Sequence, residues 1–333
     1  MANILKENLI YAVYYAPRGR KRMYSLARDL SQRHLYPSDL LIGVIGAEGA
    51  GKSMLIRGLF PGLELTNDDA GVNNRSTPLY EFDESDFFAP HTFHIDVRYE
   101  AAFHQMFEIA EAVKKAIDAE RRVVVEHFDL LYPYLKMNGS ILFGVGEEVI
   151  VTRPTYFGPY PLAIKRIVDS TLIFRQMAHS AEDLVSLVLD REYGFQRPVL
   201  HSDVKHGFVI NFTEKPSIDI QELKTRVFEL IDQDLPISYV DENHLSIGDM
   251  VMVCTGPRVH VKSTGKIKNL RFVSDYKINH QTKEYMLIGS VGETHVAGFE
   301  DILPRIEEVT EEVLVGKNKF DPMLASQIGT LEP

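Results

Sequence analysis

The octapeptide GAEGAGKS, from Gly46 to Ser53, constrains the fold of this chain more than any other stretch of its sequence. It follows a short apolar run at residues 40–45, as expected of a buried parallel strand. The residues that come next, 53–59, can form a helix. Glycines in such a turn let backbone amides curve around phosphate oxygens at the positive N-terminal end of the helix. The segment therefore predicts a nucleotide-binding strand, turn and helix.

The side chains of this turn predict how a nucleotide is held. The pattern G-x-x-x-x-G-K-S is complete, so Lys52 is expected to reach the β- and γ-phosphates and the Ser53 hydroxyl to bind Mg²⁺. ATP with Mg²⁺ is the cofactor that the pattern implies. The predicted nucleotide-binding residues are Gly46, Glu48, Gly49, Ala50, Gly51, Lys52 and Ser53.

Composition excludes several classes of protein. A chain of 333 residues that is 45% hydrophobic can form two packed domains. Its formal net charge of -11 argues against general binding of nucleic acid. The single cysteine, Cys254, excludes an internal disulfide, and no apolar run approaches the length of a membrane span or a signal peptide. We therefore expect a cytoplasmic protein without a membrane partner, and no oligomeric state is predicted.

Four segments are predicted along the chain. Residues 1–37 are basic and indicate a helical segment, and residues 38–170 alternate between apolar strands and helices. That alternation predicts a doubly wound α/β domain with a mostly parallel sheet. Residues 171–310 mix helices, strands and turns without a second glycine-rich loop, which predicts a smaller α+β domain. Residues 311–333 are expected to be a loosely held extension.

Two aspartates follow the helix of the glycine-rich turn, in the segment LTNDD. A strand is predicted to end near Thr66, which places Asp68 and Asp69 at the carboxyl edge of the sheet, where open α/β sheets bind ligands. The segment resembles the strand-end aspartate of small-molecule, polynucleotide and zeta-toxin-type kinases. That resemblance implies that Asp68 or Asp69 acts on an acceptor hydroxyl. The alternative is an Asn-Asp turn without a catalytic role.

Further polar residues follow the later strands. Glu126 comes directly after a β-branched run, at the Walker-B position where a carboxylate holds Mg²⁺ or its water shell. Next to it, HFDLL is similar to a segment of the bacterial tRNA-threonylcarbamoylation ATPase. His94 and Asp96 lie in the segment HTFHIDVRYE. Arg153, or another arginine on a lid, is expected to neutralise charge on a transferred phosphoryl group. The predicted catalytic residues are Lys52, Asp68, Asp69, Glu126 and Arg153.

Three stretches between about residues 175 and 303 form a second pattern: HSAEDLVSLVLDREYG, GFVINFTEKPSIDIQELKTRVFELIDQDLPI and CTGPRVHVKSTGKI. In order and spacing they resemble the second additional domain of alanyl- and threonyl-tRNA synthetases, which also occurs as free-standing editing proteins. The resemblance implies a domain that binds Zn²⁺ through two histidines, a cysteine and a further histidine, and that hydrolyses amino acids wrongly attached to tRNA. The whole chain is also similar to bacterial proteins named for this domain.

The resemblance implies a zinc site on particular residues of this chain. The first histidine corresponds to His179, the second to Asp183, and the cysteine to Cys254. The last position is Arg258 if the Cys-x-Gly-Pro spacing governs, or His260 if the following Thr-Gly turn governs. His179 and Asp183, four residues apart, share one helix face, and Zn²⁺ accepts such a ligand set. The alternative is a buried Cys254 without metal, in a domain that binds RNA, an amino acid or another subunit.

The sequence supports several functions. We favour a P-loop phosphotransferase that uses ATP and Mg²⁺ on a hydroxyl of a nucleoside, a nucleotide or an RNA-related compound, because Asp68 and Asp69 stand where an acceptor base belongs. The alternatives are an ATPase whose second domain binds tRNA, a nucleotide-regulated zinc-dependent deacylase of mischarged tRNA, and a non-catalytic nucleotide-dependent binding module. Some uridine-kinase-like proteins carry a similar editing domain in the reverse order.

Overall fold

The computed structural model describes residues 9–66, 78–81, 90–195 and 202–292. The predicted catalytic residues Asp68 and Asp69 lie outside these described residues, as does the predicted extension at 311–333. The described chain divides into two compact units. Unit 1 contains residues 9–14 and Met23–Asp169, and unit 2 contains Tyr15–Arg22 and residues 170–292. In the described ranges, no helix combines the length and the apolar character needed to cross a membrane.

Unit 1 is built on a sheet of six strands. They are β1 (Tyr11–Tyr15), β2 (Leu41–Ile45), β3 (Thr92–Asp96), β4 (Arg122–Glu126), β5 (Ile141–Val145) and β6 (Glu148–Thr152). Their spatial order is β1-β6-β5-β2-β4-β3. Strands β5, β2, β4 and β3 run parallel, whereas β6 is antiparallel to β5. The expected α/β class is confirmed, with a mixed sheet in which β2 and β5 are buried along their whole length.

The helices of unit 1 each bury apolar residues. They are α1 (Arg20–His34), α2 (Lys52–Leu59), α3 (Val97–Glu100), α4 (Met106–Asp118), α5 (Phe128–Leu135) and the first part of α6 (Pro161–Tyr193). Helix α4 illustrates why they form. A capping box between Gln105 and Glu108 closes its N-terminus, and Ile109, Val113 and Ala116 recur on one face and are buried. That face packs into the core that also holds the apolar residues of β3 and β4.

The N-terminal part of unit 1 differs from the prediction. Residues 9–37 contain the predicted helix as α1, but they are not a separate segment, because residues 11–15 are a strand of the main sheet and most of α1 belongs to unit 1. The described residues between α2 and Thr66 also contain no strand, although one was predicted to end near Thr66. After α2 the chain turns at residues 61–62 and has no regular structure up to Thr66, and the next strand of the described chain is β3. Pro61 and Gly62 explain the turn, since neither residue favours continuation of a helix.

Unit 2 combines helices with antiparallel strands, as expected of an α+β domain. Strands β7 (Ser202–Val204), β8 (Gly207–Phe212), β12 (Arg271–Phe272), β13 (Lys277–Ile278) and β14 (Tyr285–Ser290) form one sheet. Strands β9 (Ile237–Asp241), β10 (His244–Ile247) and β11 (Met250–Val253) form a second. The second part of α6 and helix α7 (Ile220–Asp232) pack with both sheets around one apolar core. A short 3₁₀ helix, Thr264–Lys266, follows the corner after β11.

Candidate functional site

The turn between β2 and α2 follows a path that requires glycine. Gly46, Gly49 and Gly51 have φ angles of 152°, 74° and 95°. A Cβ atom at Gly46 would lie 2.6 Å from the carbonyl oxygen of Val145, so a larger residue would clash as well as strain the backbone. Helix α2 begins directly after Gly51. The turn therefore leads the chain into the positive N-terminal end of a helix at the carboxyl edge of β2.

The remaining predicted residues of the turn lie in different environments. Ala50 is fully buried, Ser53 is half-buried in the first turn of α2, and the Glu48 carboxylate is exposed. The guanidinium of Arg98, on α3, lies 4.0 Å from that carboxylate, measured from Nη1 to Oε2. An arginine of unit 1 therefore reaches the outer side of the turn.

Lys52 is held at the base of the turn. Its side chain is buried, and Nζ donates a hydrogen bond to the carbonyl oxygen of Ala47 at 2.8 Å. Nζ also lies 3.4 Å from Oε1 of Glu126, the residue that ends β4. Burial lowers the pKa of Lys52, and the charge of Glu126 opposes that effect. The structure thus brings together the lysine and the strand-end carboxylate that the sequence assigned to one site.

Glu126 has a second partner in His94 of β3. The backbone amide of Thr66 donates to His94 Nδ1 at 3.2 Å, so the imidazole carries its proton on Nε2, which lies 3.6 Å from Glu126 Oε2. Burial by itself would raise the pKa of Glu126, but the nearby imidazole of His94 and the charge of Lys52 outweigh burial and lower it. Glu126 is therefore a carboxylate at neutral pH.

Asp96 and His127 complete the polar end of strands β3 and β4. Asp96 is aligned with Glu126 in the parallel register, and its Oδ1 accepts hydrogen bonds from the amides of Arg98 and Tyr99, which cap α3. His127 follows β4 in a left-handed conformation, with φ 59°. Burial, and then the charge of Lys52, lowers the pKa of His127 to about 3, so its imidazole is neutral at physiological pH.

The sequence does not show that Asp96 and His127 lie beside Glu126, but the structure joins all three in one cluster. Each of the three offers one ligand atom, and these atoms lie within 4.8 Å of one another. Asp96 and Glu126 come together because β3 pairs with β4. The order of strands in the sheet cannot be read from the sequence alone, so the sequence did not predict this cluster.

The structure places Arg153 away from this cluster and corrects its predicted catalytic role. Strand β6 is antiparallel to β5, so the residue after β6 lies at the opposite edge of the sheet from Glu126. Arg153 Nη1 and Nη2 lie 2.7 and 2.8 Å from the two carboxylate oxygens of Asp39, and the pair is buried. Arg153 also donates to the carbonyl oxygens of His34 and Ser140. Its charge serves this buried ion pair rather than a phosphoryl group.

Unit 2 contains a second cluster, formed by the residues to which the sequence assigned zinc. His179 and Asp183 lie one turn apart on α6, and Cys254 and His260 lie on the chain after β11. His179 Nε2 is 3.5 Å from Cys254 Sγ and 3.6 Å from Asp183 Oδ2. His260 Nε2 is 2.9 Å from Asp183 Oδ2 and 4.0 Å from Cys254 Sγ. All four ligand atoms lie within 4.8 Å of one another, as the ligands of one metal ion do.

Both imidazoles of this cluster are oriented by carbonyl oxygens behind them. His179 Nδ1 lies 3.2 Å from the Val259 carbonyl oxygen, and His260 Nδ1 lies 3.1 Å from the Pro257 carbonyl oxygen. Each Nδ1 therefore carries the proton and each Nε2 turns its lone pair toward the centre, which is the arrangement of metal-binding histidines. The sulfur of Cys254 accepts the backbone amide two residues later at 3.4 Å. The donor set and its orientation fit Zn²⁺.

The structure also decides between the two candidates for the last position of the cluster. Arg258 points its guanidinium over the ring of Tyr239, 4.7 Å from the ring centroid, and contributes no atom to the cluster. His260 takes the position, as the Thr-Gly turn indicated. The two additional residues between Cys254 and His260 are accommodated by a turn closed by the Gly256 carbonyl and the Val259 amide, at 3.1 Å.

The fold and the two clusters define an α/β unit with a glycine-rich turn between strand and helix, followed in the chain by an antiparallel α+β unit with a buried His₂AspCys cluster. A scan against protein-family models and a search of the curated proteins found no match for this chain.

Proposed function

We propose that unit 1 is a doubly wound P-loop domain that binds a nucleoside triphosphate and transfers its terminal phosphoryl group to a hydroxyl acceptor. The observation that carries the proposal is the meeting of Lys52 and Glu126, 3.4 Å apart, at the end of the glycine-rich turn. Strand β2 lies beside β4, so the turn and the Walker-B carboxylate share one edge of the sheet. Open α/β sheets bind their ligands at that edge.

Each described residue of the site has a definable task. The turn from Gly46 to Gly51 and the first turn of α2 supply backbone amides for phosphate oxygens. The ammonium of Lys52 supplies a positive charge for the β- and γ-phosphates, and Arg98 replaces Arg153 as the arginine that reaches the turn. Mg²⁺, when bound, would be held by the Ser53 hydroxyl and Glu126 and would neutralise developing charge on the phosphates.

The acceptor base is proposed on Asp68 or Asp69, whose segment begins directly after Thr66. Thr66 contacts the site, because its amide donates to His94, and its hydroxyl accepts the Asp96 amide at 3.2 Å. Thr66, two residues before Asp68, therefore lies at the edge of the cluster. A nucleoside or a nucleotide is the class of acceptor that the resemblance to small-molecule and polynucleotide kinases implies.

Calorimetry and product analysis test this function. We expect a non-hydrolysable ATP analogue with Mg²⁺ to bind the whole protein, and γ-labelled ATP to lose its label to a hydroxyl compound from a panel of nucleosides, nucleotides and RNA. Release of the label only as free phosphate would replace the phosphotransferase with an ATPase. Absence of any nucleotide binding would overturn both.

We further propose that unit 2 binds one Zn²⁺ through His179, Asp183, Cys254 and His260. The observation that favours this second function is the pair of imidazoles whose Nδ1 atoms face carbonyl oxygens and whose Nε2 atoms converge. Four protein ligands fill a tetrahedral site, whereas catalytic zinc keeps a position for water. A closed and buried centre is therefore expected to stabilise unit 2, and a deacylase would require one ligand to leave. Elemental analysis of the purified protein tests the zinc content.

A further inference from the structure

The cluster of Asp96, Glu126 and His127 in unit 1 has properties that phosphoryl transfer does not use. All three residues are buried, and one potential ligand atom from each lies within 4.8 Å of the others. The cluster combines two acidic side chains with an imidazole, whereas the nucleotide-associated Mg²⁺ of P-loop proteins takes a hydroxyl and a carboxylate. An imidazole among oxygen ligands is more typical of Mn²⁺ and other first-row transition metals than of Mg²⁺.

The imidazole of His127 provides an independent observation at this cluster. His127 is 3% exposed, and its Nδ1 has no hydrogen-bond partner among the described residues. A buried polar atom without a partner costs free energy, which a bound ligand would recover. His127 has a left-handed backbone, which is uncommon for a residue with a side chain, and one of its ring nitrogens lies within 4.8 Å of a carboxylate oxygen of Glu126.

Charge at the cluster favours a cation. The carboxylates of Asp96 and Glu126 lie at the aligned ends of neighbouring strands, and the ammonium of Lys52 contacts Glu126. The ammonium of Lys52 faces two adjacent carboxylates, and the guanidinium of Arg98 also acts electrostatically on Lys52 and His127. A divalent cation would be attracted to two carboxylates held at neighbouring strand ends.

We propose that Asp96, Glu126 and His127 form a binding site for a divalent transition-metal ion, with Mn²⁺ favoured over Mg²⁺, in the chain without nucleotide. The site goes beyond the proposed phosphoryl transfer, because it requires neither triphosphate nor acceptor. The site would lie beside the glycine-rich turn, so the metal ion would already be bound when the nucleotide binds.

Electron paramagnetic resonance of Mn²⁺ tests the proposal on the whole protein without nucleotide, since the six-line signal of free Mn²⁺ is lost on binding. We expect the wild-type chain to bind Mn²⁺, and we expect His127→Ala and Asp96→Asn to weaken binding by about tenfold or more, since even groups behind a metal ligand matter that much. His91→Ala is the matched control, because His91 is an exposed histidine of unit 1 outside the cluster. His260→Ala shows whether the signal arises from the cluster of unit 2 instead.

A lysine variant separates this proposal from the proposed nucleotide binding. Lys52→Met removes the cation that lies 3.4 Å from Glu126, so it should strengthen Mn²⁺ binding while it weakens binding of the ATP analogue. Absence of Mn²⁺ binding in the wild-type chain, or equal binding in wild type, His127→Ala and Asp96→Asn, would overturn the metal site whether or not nucleotide binds. A metal site that survives in a chain without nucleotide binding would overturn only the phosphotransferase.

Discussion

Lys52 Nζ and Glu126 Oε1 lie 3.4 Å apart, and both side chains are buried at the carboxyl edge of the sheet in unit 1. Lys52 begins the helix after β2, and Glu126 ends the neighbouring strand β4, so strand pairing alone brings the two residues together. A buried ammonium and a buried carboxylate have both lost hydration, and each depends on the other for a compensating charge. The contact therefore makes the Lys52 ammonium, which is expected to bind the phosphates, part of the interactions that stabilise unit 1.

Replacement of Lys52 by methionine should abolish tight binding of an ATP analogue. Methionine keeps most of the buried volume but removes the charge expected to contact the β- and γ-phosphates. A hydrogen bond to a charged group is worth about 1.5–3 kcal/mol, so we expect a loss of roughly 10- to 100-fold in affinity. Isothermal titration calorimetry with Mg²⁺ measures it. Lys115→Met, at an exposed position of α4, is the control, and equal affinities in both variants would contradict the assignment.

Replacement of Arg153 by methionine should destabilise unit 1 and leave nucleotide affinity unchanged in the folded fraction. Removing one partner of a buried ion pair takes the guanidinium away from the carboxylate of Asp39, at a cost of about 3–5 kcal/mol. Urea unfolding measures the loss. The double variant Arg153→Met with Asp39→Leu should recover part of it, because no buried charge remains. Loss of phosphoryl transfer without loss of stability would instead return Arg153 to the catalytic site.

Removal of zinc should destabilise unit 2. The four proposed ligands join α6 to the chain that follows β11, and a structural zinc site contributes directly to folding free energy. We expect about one zinc per chain by elemental analysis, and a lower melting temperature after treatment with a chelator. Cys254→Ala should lose both the zinc and the response to the chelator, whereas His244→Ala, at a histidine of unit 2 outside the cluster, should retain both. Zinc retained in Cys254→Ala would contradict the site.

The stability contributed by Glu126 should depend on pH in a defined direction. The folded-state pKa of Glu126 is lowered by His94 and Lys52 in spite of burial. A carboxyl group of this kind stabilises the fold above its unfolded-state pKa of 4.5, and the contribution disappears as pH falls through the lower, folded-state pKa. The difference in unfolding free energy between wild type and Glu126→Gln should therefore shrink on acidification, and each tenfold change in the ionisation equilibrium corresponds to about 1.4 kcal/mol.

Urea unfolding of both proteins at about pH 7 and at about pH 3, without added divalent cations, measures this difference. Thr225→Ser, a mild change at an exposed position of α7, serves as the control whose effect should not vary with pH. A Glu126 contribution that is constant over this range would show that His94 and Lys52 do not stabilise the carboxylate.

The sequence by itself determined the features that depend on neighbouring residues. The turn from Gly46 to Gly51 needs glycine at positions whose backbone angles or close contacts exclude larger side chains, and the apolar run before it is the buried strand that the sequence predicted. The i, i+4 spacing of His179 and Asp183 likewise fixed their common helix face. Such features are local, because they depend only on backbone sterics and on the spacing of residues close together in the sequence.

Only the tertiary structure decided the features that depend on strand order and chain direction. In the sequence, Arg153 follows an apolar strand, as residues at the ligand-binding edge of a parallel sheet do. Because β6 runs antiparallel to β5, Arg153 lies at the opposite edge of the sheet. The pairing of β3 with β4 joined Asp96 to Glu126, and the turn after Cys254 brought in His260 rather than Arg258. These arrangements depend on contacts between residues far apart in the chain. A local pattern of side chains does not indicate how favourable such contacts are.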